Sequence, residues 1–540
     1  MRRLVVVLAA LAVAGGGTLV ATSAAAAAPA TPSALPAIGS ITWGPCSDPF
    51  LQQANAQCGM LSVPLDYDHP SGTHISLAVS RVKHTSPASQ YQGVMLVNPG
   101  GPGGSGLDLS TLGSSVPGDS AGTYDWIGFD PRGVGASVPS LTCDPNYFDA
   151  PRPAYVPTSH ALEQTWLTRS KDYAKACGKA QPGLLANMTT VDSAKDMDAI
   201  RVALGQRQIN YYGFSYGTYL GQVYSTLFPQ RVRRMVLDSN VDPRGVWYQD
   251  NLDQDVAFDK NIDIWFAWVA KYDNVFHLGT TQGAVQRLFY ATQAKLTKHA
   301  AGGVVGGDEW NDIFLQAGYY RFGWVDLGNA FSDYVHTGAA QPLITLYQQT
   351  DGPGDDNSFA VYLGVQCSDV QWPTNWNQWR VDNWRTYAQA PFETWNNAWF
   401  NAPCVYWPTK PSTPVRIDGS KVAGALLIDE TLDAATPFPG SLQVRKLFPR
   451  SSLIAEPGGT THADSLFGDL CVDDQVADYL ASGKLPARKP GNGPDTTCAP
   501  LPDPVPTAAS AGAAAHAATA TSTSAQAVVA ERELLARSIR

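Results

Sequence analysis

Between Tyr211 and Gly221 the chain reads YYGFSYGTYLG. An apolar, strand-like run ends in Gly213-Phe214-Ser215-Tyr216-Gly217, and a helix-like segment follows through GTYLGQVYSTLF. Glycines two before and two after a serine suit a sharp strand-to-helix bend, where only small residues fit beside the turn. The following helix aims its N-terminus at the bend and favours negative charge developing there. Alone, such a motif is an ordinary tight turn in a chain with 49 glycines. Set between a strand and a helix, it marks Ser215 as a candidate nucleophile.

The surrounding sequence keeps the same rhythm. Val94 to Val97 reads as a strand running into the glycine loop NPGGPGGSG, and YDWIGF reads as a second strand stopping at Asp130-Pro131. In TTVDSAKDMDAIRVALG, Val191, Met197, Ile200 and Leu204 recur at helical spacing, with Thr190 expected as the N-cap. RRMVLDSNVDP reads as another buried strand. Strands alternating with helices predict a parallel sheet covered on both faces. The texture changes after Pro243, where twelve of the 15 tryptophans fall between Trp247 and Trp407 in long helical stretches. Alternation resumes at VAGALLIDETLD and SSLIAEPGGTTH, with a last helix near Val472 to Leu480. The expected architecture is an α/β core with a mostly parallel sheet, in two parts (40–243 and 415–498), interrupted by a mainly helical cap (244–414). No internal repeat is visible.

A chain of 540 residues with 44% hydrophobic content can bury a large core and leads us to expect two structural units. The net charge of −10 argues against a nucleic-acid partner, which requires a basic face. The segment MRRLVVVLAALAVAGGGTLVATSAAAAAPA reads as a secretory signal peptide, with room for a short pro-segment within 1–39. Gly15 to Gly17 break the apolar run, which disfavours a membrane anchor, and Arg2-Arg3 is a weak hint of twin-arginine export. No later run is long enough to span a bilayer. The expectation is a secreted protein, off the membrane and monomeric. Eight cysteines, all after this leader, suggest disulfides in an exported chain. They fall into sequence-local pairs: Cys46 with Cys58, Cys143 with Cys177, Cys367 with Cys404, and Cys471 with Cys498. The tight Cys and His spacing of a zinc site is missing, so neither metal nor cofactor is expected. The Pro- and then Ala/Thr/Ser-rich stretch 499–540 is expected to be disordered.

A serine hydroxyl is a poor nucleophile without a base. Of nine histidines, His462 alone follows a late core strand and a glycine turn, in EPGGTTHADS. His69, His74 and His84 lie among the N-terminal strands and carry no such signal. The base needs an orienting carboxylate. LLIDETLDAATP offers Asp429, Glu430 and Asp433, and Asp433, in the turn beyond the strand, is the candidate. The chain order Ser215, Asp433, His462 is that of the α/β-hydrolase fold. Oxyanion donors would be the backbone N–H of Tyr216 and that of Gly101, with Gly100 as the alternative. No Gly-Lys-Ser/Thr follows the glycine loop, so a phosphate cradle is disfavoured.

The motifs NPGGPGGSG, DPRGVGAS, GFSYGTYLG, LDAATP and GGTTH together resemble the secreted tripeptidyl aminopeptidases of actinobacteria, relatives of prolyl iminopeptidase among the α/β hydrolases. The similarity runs from about Ile41 to Cys498. It implies Ser215, Asp433 and His462 as the triad of a serine exopeptidase that releases tripeptides from free N-termini. Pro99 stands where the prolyl iminopeptidase branch carries His, so simple proline removal is not expected. Recognition of an N-terminal ammonium calls for a carboxylate in a partly closed pocket, about 10 Å from Ser215 Oγ for three extended residues. Asp369, beside Cys367, is the expected anchor, with Asp255 and Asp253 as rivals. The cap tryptophans are mostly core, with some around Trp372 to Trp384 placed to line the cleft. Two other readings share these residues: a secreted carboxylesterase or lipase, and a binding protein on a hydrolase scaffold.

Overall fold

A computed structural model describes residues 39–351 and 354–506. The signal-peptide reading and the tail from 507 onward lie outside the described residues. Ten strands form one sheet: β1 (Gly44–Pro45), β2 (Gln57–Pro64), β3 (His74–Val82), β4 (Val94–Asn98), β5 (Asp125–Phe129), β6 (Ile209–Phe214), β7 (Val232–Asp238), β8 (Ala425–Glu430), β9 (Ser451–Glu456) and β10 (Thr496–Thr497). Their spatial order is β1-β2-β3-β5-β4-β6-β7-β8-β9-β10. Pairing is antiparallel from β1 through β3 to β5 and parallel from β5 to β10. Every residue of β4, β6, β8 and β9 is buried, as strands covered on both faces require. Each fully buried Val, Leu, Ile or Phe there contributes about 1.5–3 kcal/mol relative to exposure.

One helix start differs from the sequence expectation. The helix Thr190–Ala203 is capped by Thr189, not Thr190: the Thr189 hydroxyl accepts from Asp192 N and the Asp192 carboxylate accepts from Thr189 N. Thr190 N–H and its hydroxyl are taken instead by Asp369, at 2.7 and 2.6 Å. A reciprocal capping box won over the neighbouring threonine.

Between β7 and β8 the described residues form nine α-helices, from Tyr248–Lys271 to Thr394–Asn401. An aromatic core of its own fills much of this segment, including Trp265, Phe289, Trp310, Phe314 and Phe331. The helix Asn357–Asp369 instead shares the core beneath the sheet, through Phe359, Val361 and Leu363. The helical segment therefore does not separate from the sheet as a body of its own, and the described residues belong to one compact unit. Disulfides join Cys46 to Cys58, Cys143 to Cys177, Cys367 to Cys404 and Cys471 to Cys498. Residues 499–506, expected to belong to a disordered tail, are instead held by the helical segment. Leu501 O accepts from Arg321 Nη1 at 2.9 Å and Pro504 O from Trp268 Nε1 at 3.0 Å, so 499–506 is tied to the helical segment.

Candidate active site

Ser215 sits between β6 and the helix Tyr216–Leu227 with φ 55° and ψ −129°. That backbone is costly for a side-chain-bearing residue and persists because its surroundings hold it. Ser215 N donates to Asp238 O at the end of β7, at 3.1 Å. The flanking glycines are required by space: a Cβ on Gly213 would lie 2.5 Å from Gly217 O, and one on Gly217 2.6 Å from Asn98 O.

The same end of β7 gathers the histidine loop. Asp238 Oδ2 accepts from Ser465 N at 2.9 Å, and Ser239 Oγ accepts from Ala463 N at 2.8 Å. His462, 1% exposed, has Nδ1 2.8 Å from Asp433 Oδ2. The carboxylate is itself fixed: its Oδ1 accepts from Ala435 N and Thr436 N, and its Oδ2 from the Thr436 hydroxyl. Asp429 faces elsewhere, accepting from Ser441 Oγ. The helical segment grips both loops. Tyr319 O accepts from His462 N at 2.8 Å, and Asn261 Nδ2 donates to Leu432 O at 2.9 Å. His462 Nε2 makes no hydrogen bond, so the ring nitrogen opposite the carboxylate is uncommitted and the Ser215 hydroxyl is not bonded to it. Such contacts are often long before substrate binds.

The glycine loop after β4 lies against the serine. A Cβ on Gly100 would stand 2.8 Å from Ser215 Cβ and 2.9 Å from Tyr216 N. Gly100 N–H is spent on Asn98 Oδ1 at 3.1 Å, which favours Gly101 as the donor for an oxyanion. Tyr216 N opens the helix, where backbone N–H groups lack intrahelical partners.

Ser215, Tyr216 and Gly101 line a cavity of about 510 Å3 that runs under the helical segment. Its wall includes the carboxylates of Asp250, Asp253, Asp312 and Glu393. Asp369, the expected ammonium anchor, does not line it. It is buried and accepts from Thr190 and from Trp247 Nε1, and burial pushes its carboxyl up to about 7. Thr190 Oγ1 in turn meets Tyr216 OH at 2.8 Å, so Asp369 buttresses the bend from behind. Asp255 also faces away from the cavity. It is buried, accepts from Asn397 Nδ2, and is raised to about 8 by burial. Asp253 lines the cavity and is itself exposed. Of the tryptophans, Trp247 lines the cavity, whereas Trp372 and Trp379 are core. The carboxylate that sequence reading passed over is Glu393. It is 5% exposed, faces the cavity, and is pushed well above the usual carboxylate range by burial and then by Asp255 and Asp312. A lone acid in the turn before a short helix carries no local signal of this.

A serine at a strand-to-helix bend, an imidazole after the penultimate strand, an acid after the strand before it and a mostly parallel sheet define an α/β hydrolase. Residues 93–305 match the alpha/beta hydrolase fold family and 390–498 the TAP-like protein family. The tripeptidyl aminopeptidase of Streptomyces lividans is 41% identical over 483 residues, 87% of this chain and 89% of that one. Serine protease Hip1 of Mycobacterium tuberculosis is 30% identical over 84% of this chain and 91% of its own. Carboxylesterase B of the same organism is 31% identical over 84% and 90%. The chain belongs to the tripeptidyl aminopeptidase family of α/β hydrolases.

Proposed function

We propose that this protein is a secreted serine exopeptidase that removes tripeptides from free N-termini of peptides through an acyl-enzyme. The observation that carries this reading is the position of Ser215 in the wall of a cavity, lined mostly by the helical segment, that also holds buried carboxylates. Ser215 Oγ attacks the scissile carbonyl as its proton passes to His462 Nε2, with Asp433 holding the imidazole by Nδ1. The oxyanion is met by the N–H groups of Gly101 and Tyr216. His462 returns the proton to the leaving amine. Water, deprotonated by His462, then splits the acyl ester and frees the tripeptide. Export is supported by the leader sequence and the four disulfides. No helix among the described residues is long and apolar enough to cross a membrane.

The amino-terminal anchor in this reading is Glu393, with Asp253 as rival. An ammonium beside Glu393 relieves the repulsion it feels from Asp255 and Asp312 and replaces the water it has lost. Glu393→Gln is expected to raise KM for an unblocked tripeptide anilide by roughly 10–100-fold, the loss of one charge-assisted contact. Hydrolysis of an N-blocked nitrophenyl ester should be little changed. Equal loss on both substrates would remove Glu393 from this role. Faster turnover of the blocked ester than of any free-amine peptide by the wild-type protein would favour the esterase reading.

A further inference from the structure

Away from the triad, carboxylates gather where β8 and β9 end. Glu430 closes β8, Glu456 closes β9, and Asp464 follows in the loop. Their oxygens lie within 4.8 Å of one another, and the residues are 2%, 1% and 5% exposed. A fourth acid, Asp469, is 7% exposed and acts on Glu456. Glu430 is partly compensated, since it accepts Thr461 N–H and feels the Arg321 guanidinium. Arg321 donates to Thr460 Oγ1, Gly458 O and Leu501 O. By contrast, Glu456 Oε1 and Asp469 Oδ2 are sealed from water with no N–H or hydroxyl donor facing them, and the two carboxyls lie within hydrogen-bond reach of each other, so without a cation they share a proton. Acceptors sealed in this way need either protons or a cation.

We propose that Glu430, Glu456 and Asp464 bind a hard divalent cation, Ca2+ in preference to Mg2+, which braces the loop carrying His462. The donor set is all oxygen, with no imidazole or thiolate to favour zinc or copper. A buried set of several protein carboxylates suits Ca2+, which takes six to eight oxygens in a flexible geometry, better than Mg2+, which keeps several waters and is usually held by one or two carboxylates. A cavity of about 250 Å3 reaches one member of the cluster, Asp464, beside Thr461 and Arg321. Glu456 and Asp464 flank His462 in the chain, and Glu430 precedes Asp433, so one ion would tie both loops of the proposed triad to the sheet. Cys and His spacing bears only on zinc-type sites; carboxylates this far apart in sequence escape such a reading.

The test uses the full chain, stripped with a chelator and titrated with CaCl2 by calorimetry near pH 7.5. Thermal melts with Ca2+, Mg2+ or chelator accompany it. The expected result is one Ca2+ per chain and a higher Tm with Ca2+ than with Mg2+. Glu456→Gln should lose both the binding heat and the Tm rise, and Asp464→Asn serves as the second variant if the first does not fold. Absence of heat and of a Tm change up to about 10 mM Ca2+, beyond the weakest extracellular sites, would overturn the proposal. So would a Ca2+ response retained in both variants.

Discussion

Asp433 is the most constrained member of the proposed triad, with one oxygen bound by two backbone N–H groups and the other shared between Thr436 and His462. Asparagine at this position can keep much of that frame but presents the wrong group to Nδ1. Asp433→Asn is therefore expected to fold normally and to lose about 10²–10⁴-fold in kcat, read with an unblocked tripeptide anilide. Activity within a few-fold of wild type would take Asp433 out of the role. The placement of Ser215, His462 and Asp433 was legible in the sequence because each sits beside a strand end in a recognisable turn. Asp369 was not legible as a buttress. Its partners Thr190 and Trp247 lie 179 and 122 residues away, and no local pattern separates a carboxylate facing a cavity from one facing a helix start.

At the scale of elements, the inner strands and the bend announced themselves through continuous apolar runs and paired glycines. The cap of the helix Thr190–Ala203 was misplaced by one residue because two adjacent threonines compete and only the reciprocal bond with Asp192 decides between them. The clustering of acids at strand ends was not legible either, since it depends on which strands are neighbours. It has a measurable consequence. Burial raises Asp238 to about 6, Asp473 to about 7 and Glu430 to about 8. Each folded-state value lies above the unfolded one, so the native protein keeps protons that the unfolded chain has released. The contribution of these groups is complete below about pH 4 and is lost as pH rises through 6 to 8. In chelator, the Tm is expected to fall from pH 5 to pH 8. A Tm rising steadily over that range would contradict the assignment of these acids.

At the scale of the molecule, the helical segment does more than cover the sheet. It holds the histidine loop through Tyr319 and the acid turn through Asn261, and it supplies most of the cavity wall. A substrate under such a cover meets Ser215 from one direction, which suits release from a chain end over cleavage in the middle. The most direct test is mass spectrometry of the products from one defined dodecapeptide, offered with a free or an acetylated N-terminus. The account predicts successive tripeptides from the free form, none from the acetylated form, and no products from either with Ser215→Ala. Internal fragments, single amino acids, or unchanged products from the Ser215→Ala protein would contradict it.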